Sequence, residues 1–160
     1  MKGFKKMDKL GNLDALENLV PEQRPLQVAY QAHLQDYGWL PEVCTGIDVS
    51  TAGEGKRLEA VKIKLLDAPQ GAGIKYSLHV ADRGWLPYVS DGAIGGTTGE
   101  SRRAEAIKIE LIGLAGYTVS YRVFMQGKNW SDWCSDGQVA GTTGESRQLE
   151  DIEIKISEKK

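Results

Sequence analysis

Residues 74–111 read IKYSLHVADRGWLPYVSDGAIGGTTGESRRAEAIKIEL, and the chain writes a version of this stretch three times. Residues 28–65 read VAYQAHLQDYGWLPEVCTGIDVSTAGEGKRLEAVKIKL, and residues 119–156 read VSYRVFMQGKNWSDWCSDGQVAGTTGESRQLEDIEIKI. The copies align without a gap: Tyr30, Tyr76 and Tyr121 correspond, as do Trp39, Trp85 and Trp130, Gly46, Gly92 and Gly137, and Glu59, Glu105 and Glu150. A period of about 45 residues signals a repeat architecture, in which each unit buries its apolar face against its neighbours.

Within each copy the hydrophobic period is two. Val28, Tyr30, Ala32 and Leu34 alternate with Ala29, Gln31 and His33, and the same holds from Ile74 to Val80 and from Val119 to Met125. It returns at the end of each copy, where Val61, Ile63 and Leu65 alternate with Lys62 and Lys64. Such alternation marks strands with one face on a core and one in water. Asp91-Gly92 and Asp136-Gly137 read as tight turns, because glycine adopts positive φ without steric cost. The links Asp67–Gly73 and Gly113–Gly116 are short and suit antiparallel neighbours.

These signals predict an all-β domain over residues 27–158 with pseudo-threefold symmetry. A β-prism of three sheets and a β-trefoil both accept three such repeats; the long outer strands of each copy favour the prism-like arrangement. Closure would remove sheet edges that invite aggregation. Residues 1–26 read as a polar tail or linker. Within it, Asn12 caps a short helix over Leu13–Val20 that ends at Pro21. That helix either docks on the domain or leaves open a route to self-association.

The composition excludes several classes. Lys and Arg total 20 against 22 Asp and Glu, a net charge of -2, so no basic excess exists to neutralise nucleic-acid phosphates. No apolar run reaches the roughly 20 residues of a membrane span. Cys44 and Cys134 occupy different repeat positions and are too few for a disulfide framework. They read as ordinary core or strand residues, with a bridge between them as the alternative. The lysine-bearing N-terminus lacks the apolar stretch of a secretory signal.

Tyr76, His79, Val80, Gly84-Trp85, Asp91-Gly92, the turn Gly96-Thr97-Thr98-Gly99 and Arg103 to Ile109 together resemble the clostridial hydrophobic repeat with its tryptophan, the ChW repeat. The first copy matches through Tyr30, His33, Gly38-Trp39, Gly46, Gly53 and Arg57 to Ile63. The resemblance covers roughly residues 26–156. The third copy departs from it: Phe124 stands for the histidine, Asn129 for the glycine before Trp130, and Gln148 for the arginine, so a third ligand site would be altered. The resemblance implies a non-catalytic module of extracellular and cell-surface proteins of Gram-positive bacteria, also found in phage-type lytic enzymes. It implies attachment to cell-wall polysaccharide or peptidoglycan, or adhesion to a surface protein. With no signal in this chain, a piece of a larger lytic enzyme or a phage product is expected.

The residues allow two readings at each position. Trp39, Trp85 and Trp130 are either stacking platforms for sugar rings or plugs in the seams of the threefold core. His33 and His79 lie six residues before a tryptophan, on the strand face opposite the tyrosines. They form a polar-plus-aromatic pair for a glycan, or bond to a neighbouring loop. Asp91, Asp136, Thr97 and Thr142 offer sugar-binding groups or simply build their turns. Arg147 and its equivalents could hold an acidic group on a polymer. Glu59, Glu105 and Glu150, with Arg57 and Arg103 beside them, read as structural pins through backbone N–H groups or a guanidinium. No nucleophile–base pair, phosphate loop or zinc spacing is present, so neither an enzyme nor a cofactor is expected.

Overall fold

The computed structural model describes residues 24–159. The short helix expected over 13–20 lies outside them. The described chain is all strand and turn. Repeat one supplies β1 (Gln27–Leu34), β2 (Gly38–Trp39), β3 (Val43–Cys44) and β4 (Leu58–Leu66). Repeat two supplies β5 (Gly73–Val80), β6 (Gly84–Trp85), β7 (Val89–Ser90), β8 (Ile94–Gly96) and β9 (Ala104–Ile112). Repeat three supplies β10 (Tyr117–Met125), β11 (Asn129–Trp130), β12 (Cys134–Ser135), β13 (Ala140–Gly141) and β14 (Leu149–Glu158).

The two long strands of each repeat pair antiparallel, β1 with β4, β5 with β9 and β10 with β14, and each pair slips register just before the first turn. The inward set is the one the alternation names: Val28, Tyr30, Ala32 and Leu34 are buried, with their counterparts in the other copies, in one continuous core. Cys44 and Cys134 are both free and half-buried, each in a short strand.

The three sheets do not join into a closed barrel. They are tied at their borders instead. β8 of repeat two adds to β4 of repeat one, and β13 of repeat three adds to β9 of repeat two. The Asp-Gly turns therefore do not close hairpins. At Asp91 (φ 51) and Gly92 (φ 88) the chain leaves β7 in one sheet and enters β8 in the next. The Gly92 amide already donates to Ile63 O of repeat one at 2.8 Å, and the Gly137 amide to Ile109 O at 2.8 Å. The glycine links 67–73 and 113–116 likewise pass between sheets, since β4 and β5, and β9 and β10, lie in different ones. This corrects the expectation of antiparallel neighbours there.

The third border, from repeat three back to repeat one, is built differently. Gly96 and Gly141, at φ 92 and φ 105, lie so close to the adjacent strand that an added Cβ would stand 2.4 Å from Glu59 O or Glu105 O. The corresponding residue of repeat one is Ser50, whose Cβ forbids that approach. No strand forms there. Instead Asp151, where the other repeats have Ala60 and Ala106, accepts N–H bonds from Val49 (2.9 Å), Thr51 (3.1 Å) and Ala52 (3.1 Å). It also accepts from its neighbour Ile152 at 2.6 Å. Thr51 completes the border by donating its hydroxyl to Glu150 O at 2.8 Å. Burial pushes the Asp151 carboxyl up to about 6 against the opposing pull of the Ile152 and Val49 amides, so at neutral pH it remains an acceptor.

Asp151→Ala strands the amides of Val49, Thr51 and Ala52 across the border and should cost about 2–4 kcal/mol in urea unfolding. In the double variant Ser50→Gly/Asp151→Ala, repeat one regains the glycine–alanine pairing of its neighbours. The double loss should fall clearly short of the sum of the single effects; strict additivity would refute the exchange.

Candidate functional site

The outward face of each sheet carries one recurring arrangement. The bulge at the end of the first long strand lets the two-residue strand that follows fold back beside it, pairing His33 with Trp39, His79 with Trp85 and Phe124 with Trp130. The rings meet edge to face, with centroids 5.2, 5.3 and 5.7 Å apart and interplanar angles of 81°, 82° and 85°. The turn feeding this pair needs left-handed backbone twice: Asp82 (φ 67) and Gly84 (φ 73) in repeat two, Gly127 (φ 77) and Asn129 (φ 74) in repeat three. Glycine has exchanged places, and asparagine tolerates the second position. Asn129 therefore leaves the backbone geometry of the third copy unchanged.

A cation lies over each indole. Lys62 Nζ is 4.3 Å from the Trp39 ring centre and Lys108 Nζ is 4.2 Å from that of Trp85. In repeat three the lysine position is Glu153, and Arg122 of β10 takes over, 4.6 Å above Trp130 and 5.0 Å from Trp133. Lys155 Nζ adds a second cation 4.1 Å from Trp133. Trp133 corresponds to Tyr88, which shares Lys108 (5.6 Å) with Trp85 and also faces Lys75 at 4.9 Å. Trp133 and Tyr88 are the more exposed aromatics of their faces, at 38% and 39%. The three tryptophans of the repeat are half-buried and absent from the core cluster, where Tyr30, Tyr76 and Tyr121 fill the seams. The core-plug reading of Trp39, Trp85 and Trp130 is thus overturned.

Beneath the face runs a buried carboxylate. His33 Nδ1 lies 3.0 Å from Glu59 Oε1, and Arg57 Nε donates to Oε2 at 2.7 Å. His79, Glu105 and Arg103 repeat the triad at 2.9 and 2.8 Å. In repeat three Phe124 contributes nothing polar, and Gln148 Nε2 alone reaches Glu150 Oε2 at 3.0 Å. The pins hold through guanidinium, imidazole and carboxamide groups, while the backbone N–H of Thr97 goes to Glu59 O.

The remaining candidates lie elsewhere. Asp91 Oδ1 accepts the Ile74 amide at 2.9 Å and Asp136 Oδ1 the Val119 amide at 3.1 Å, fastening the Asp-Gly turn to its own long strand. Thr97 Oγ1 and Thr142 Oγ1 are buried without a hydrogen-bond partner at the repeat borders, where no ligand on the outer face reaches them. Arg147 donates to Glu145 at 3.1 Å and to the Gln126 carbonyl. Of the ligand candidates only the Trp–His pairs of repeats one and two come together, and the Glu–Arg pins form as expected beside them. Trp133 is the extra tryptophan of the third copy, expected beside Trp130 as an aromatic patch for a protein partner, whereas the cations over the indoles and Tyr88 were not anticipated. Their signal was the period-two outward face of β4, β9 and β10, which lists Lys62, Lys108 and Arg122 in turn. Among the described residues no group of three or more His, Cys, Asp or Glu is placed to hold a metal, and no helix is long and apolar enough to cross a membrane.

A family model described as ChW, Clostridial hydrophobic W, matches the chain at residues 33–67, 79–113 and 124–158. No curated protein matches the chain, and no solved structure does.

Because the indoles lie on outer faces, Trp39→Ala and Trp85→Ala should each cost about 1–2 kcal/mol in chemical unfolding, chiefly the lost cation contact and half-burial. A core tryptophan would cost about 3–5 kcal/mol. A loss in that upper range would restore the plug reading.

Proposed function

The chain belongs to the Clostridial hydrophobic W family, and from that premise we propose a non-catalytic attachment module that binds cell-wall polysaccharide or peptidoglycan at the bacterial surface. Repeats of this family occur often in surface and cell-wall proteins. The observation that carries the proposal is the tryptophan–cation face, built three times in one geometry on the outside of the domain. An indole supplies an apolar plane for the axial C–H face of a sugar ring. The neighbouring lysine or arginine supplies donors for hydroxyl or acidic groups. His33 and His79 set the edge of the indole and offer a further polar group in the first two faces.

Each face is small and would bind weakly. A polymer changes the arithmetic, because once one face is engaged the others see a high effective concentration of the next unit. Catalysis has no place in this reading. The buried carboxylates are bound to their own arginines or glutamine, and they recur in all three repeats as supports. Such a module would serve as the targeting part of a lytic enzyme or as an anchor.

One feature favours a protein partner instead: the exposed Trp133, with Trp130 and Arg122, forms the most aromatic face of the three.

Pull-down with purified Gram-positive cell walls tests both readings. Binding should survive trypsin treatment of the walls and fall when secondary polymers are stripped. The triple variant Trp39→Ala/Trp85→Ala/Trp130→Ala, checked for its fold, should lose at least roughly 100-fold in apparent affinity. Equal binding by parent and triple variant would refute the wall-binding face, and loss of binding on trypsin treatment would assign the partner to protein.

A further inference from the structure

At one end of the domain the three repeats surround a polar cavity of about 370 Å³, lined chiefly by Arg57, Asp82, Glu100, Arg102, Arg103 and Gln148. Arg57, Arg103 and Gln148 are equivalent residues, one from each repeat. Each is anchored from below by its own buried glutamate, Arg57 and Arg103 through Nε at 2.7 and 2.8 Å. Anchoring through Nε leaves the two terminal nitrogens of each guanidinium as a planar fork. Gln148 is fixed by the bond to Glu150 and by a second, from Nε2 to Gly55 O at 3.3 Å.

We propose that this cavity is a second binding site, separate from the tryptophan faces, that takes a single oxyanion, a carboxylate or phosphate group borne on a larger molecule. Two guanidinium forks on one small cavity match the paired oxygens of such a group, and the guanidinium is the side chain suited to bidentate recognition. The acidic residues of the wall do not cancel them. Glu100 is taken up by Arg83 (2.7 Å) and Arg102 (3.1 Å), and Asp82 by Arg102 (3.1 Å). Recognition therefore rests on directed hydrogen bonds from prepositioned forks more than on net charge. The lining holds no aromatic ring, so a neutral sugar would gain no stacking here. The third fork is missing because repeat three carries Gln148, which opens the cavity on that side to whatever bears the anion.

The same substitution supplies a gentle test. Gln148 shows that glutamine can hold the glutamate in this setting, at 3.0 Å, so Arg57→Gln and Arg103→Gln should fold. The full chain, isotopically labelled, is titrated with sodium phosphate and with sodium acetate, each against sodium chloride at matched ionic strength. The side-chain Nε–H signals of Arg57 and Arg103 and the amides of Ser101 and Arg102 are followed by NMR. At least one oxyanion should shift them saturably beyond chloride. The Arg57→Gln/Arg103→Gln variant should weaken the response at Ser101 and Arg102 by roughly tenfold or more. Saturation by phosphate alone would point to a phosphate-bearing polymer, and by acetate alone to an acidic sugar or peptide. Responses no larger than chloride's, or an unchanged response in a folded double variant, would overturn the proposal. The triple tryptophan variant should keep the response, so failure of either site is read independently.

Discussion

Tyr30, Tyr76 and Tyr121 each bury a hydroxyl with one proton to give and lone pairs to fill, and they meet both needs across a repeat border. Each donates to a carbonyl of its own repeat, Ile47, Ala93 or Gln138. Each accepts an amide from the last strand of a neighbour: Ile154 for Tyr30, Ile63 for Tyr76 and Ile109 for Tyr121. Burial drives the Tyr121 hydroxyl up to about 12, so it remains a donor at any physiological pH. A buried polar group left unpaired costs more than a made bond gains. No repeat can therefore satisfy its own interior. The three must close together, and closure fixes how far apart their outward faces stand.

Cyclic closure also sets a problem that only one border has to solve. Two borders join repeats that follow each other in the chain, and there glycine lets backbone meet backbone. The last joins residues about 100 apart, with Val49 reaching Asp151. There a side chain stands in for a strand: one carboxylate collects the amides that β8 and β13 would have spent on ladder bonds. Both solutions leave the neighbouring Glu150, Glu59 and Glu105 carbonyls with a threonine donor, a hydroxyl in the first case and an amide in the other two. The two lone threonine hydroxyls follow from this. Where the amide makes that bond, the Thr97 and Thr142 hydroxyls are left without a partner.

The strands and their faces were legible because period two is a local property of the chain, and Tyr30 inward with His33 outward followed at once. The Asp-Gly turns were legible as turns but not as crossings between sheets, since which strand receives β8 depends on a neighbour 30 or more residues away. The tryptophans sit in two-residue strands, too short for a period, so their outward direction could not be read. Asp151 did leave a trace in the alignment. It replaces an alanine in the same border where Ser50 replaces a glycine, and the pair makes sense only once the two positions are known to touch.

The third repeat shows which part of the outer face is the constant one. It loses the histidine, and its lysine position becomes Glu153, which would set a negative charge beside the indole. Yet Trp130 still has a cation over it, because Arg122 comes from the opposite strand and bonds Glu153 at 2.9 Å on the way. Phe124 packs against the indole edge in the histidine's place. Different residues restoring one cation–aromatic arrangement is what a shared binding chemistry would require. The same repeat gives up the guanidinium at the axial end for Gln148 while keeping a cation on the outer face. Through the His–Glu–Arg triads of the first two repeats, the outer face and the axial cavity are supported by the two oxygens of a single carboxylate. The third repeat, with Phe124 and Gln148 in place of both partners, changes the two surfaces together.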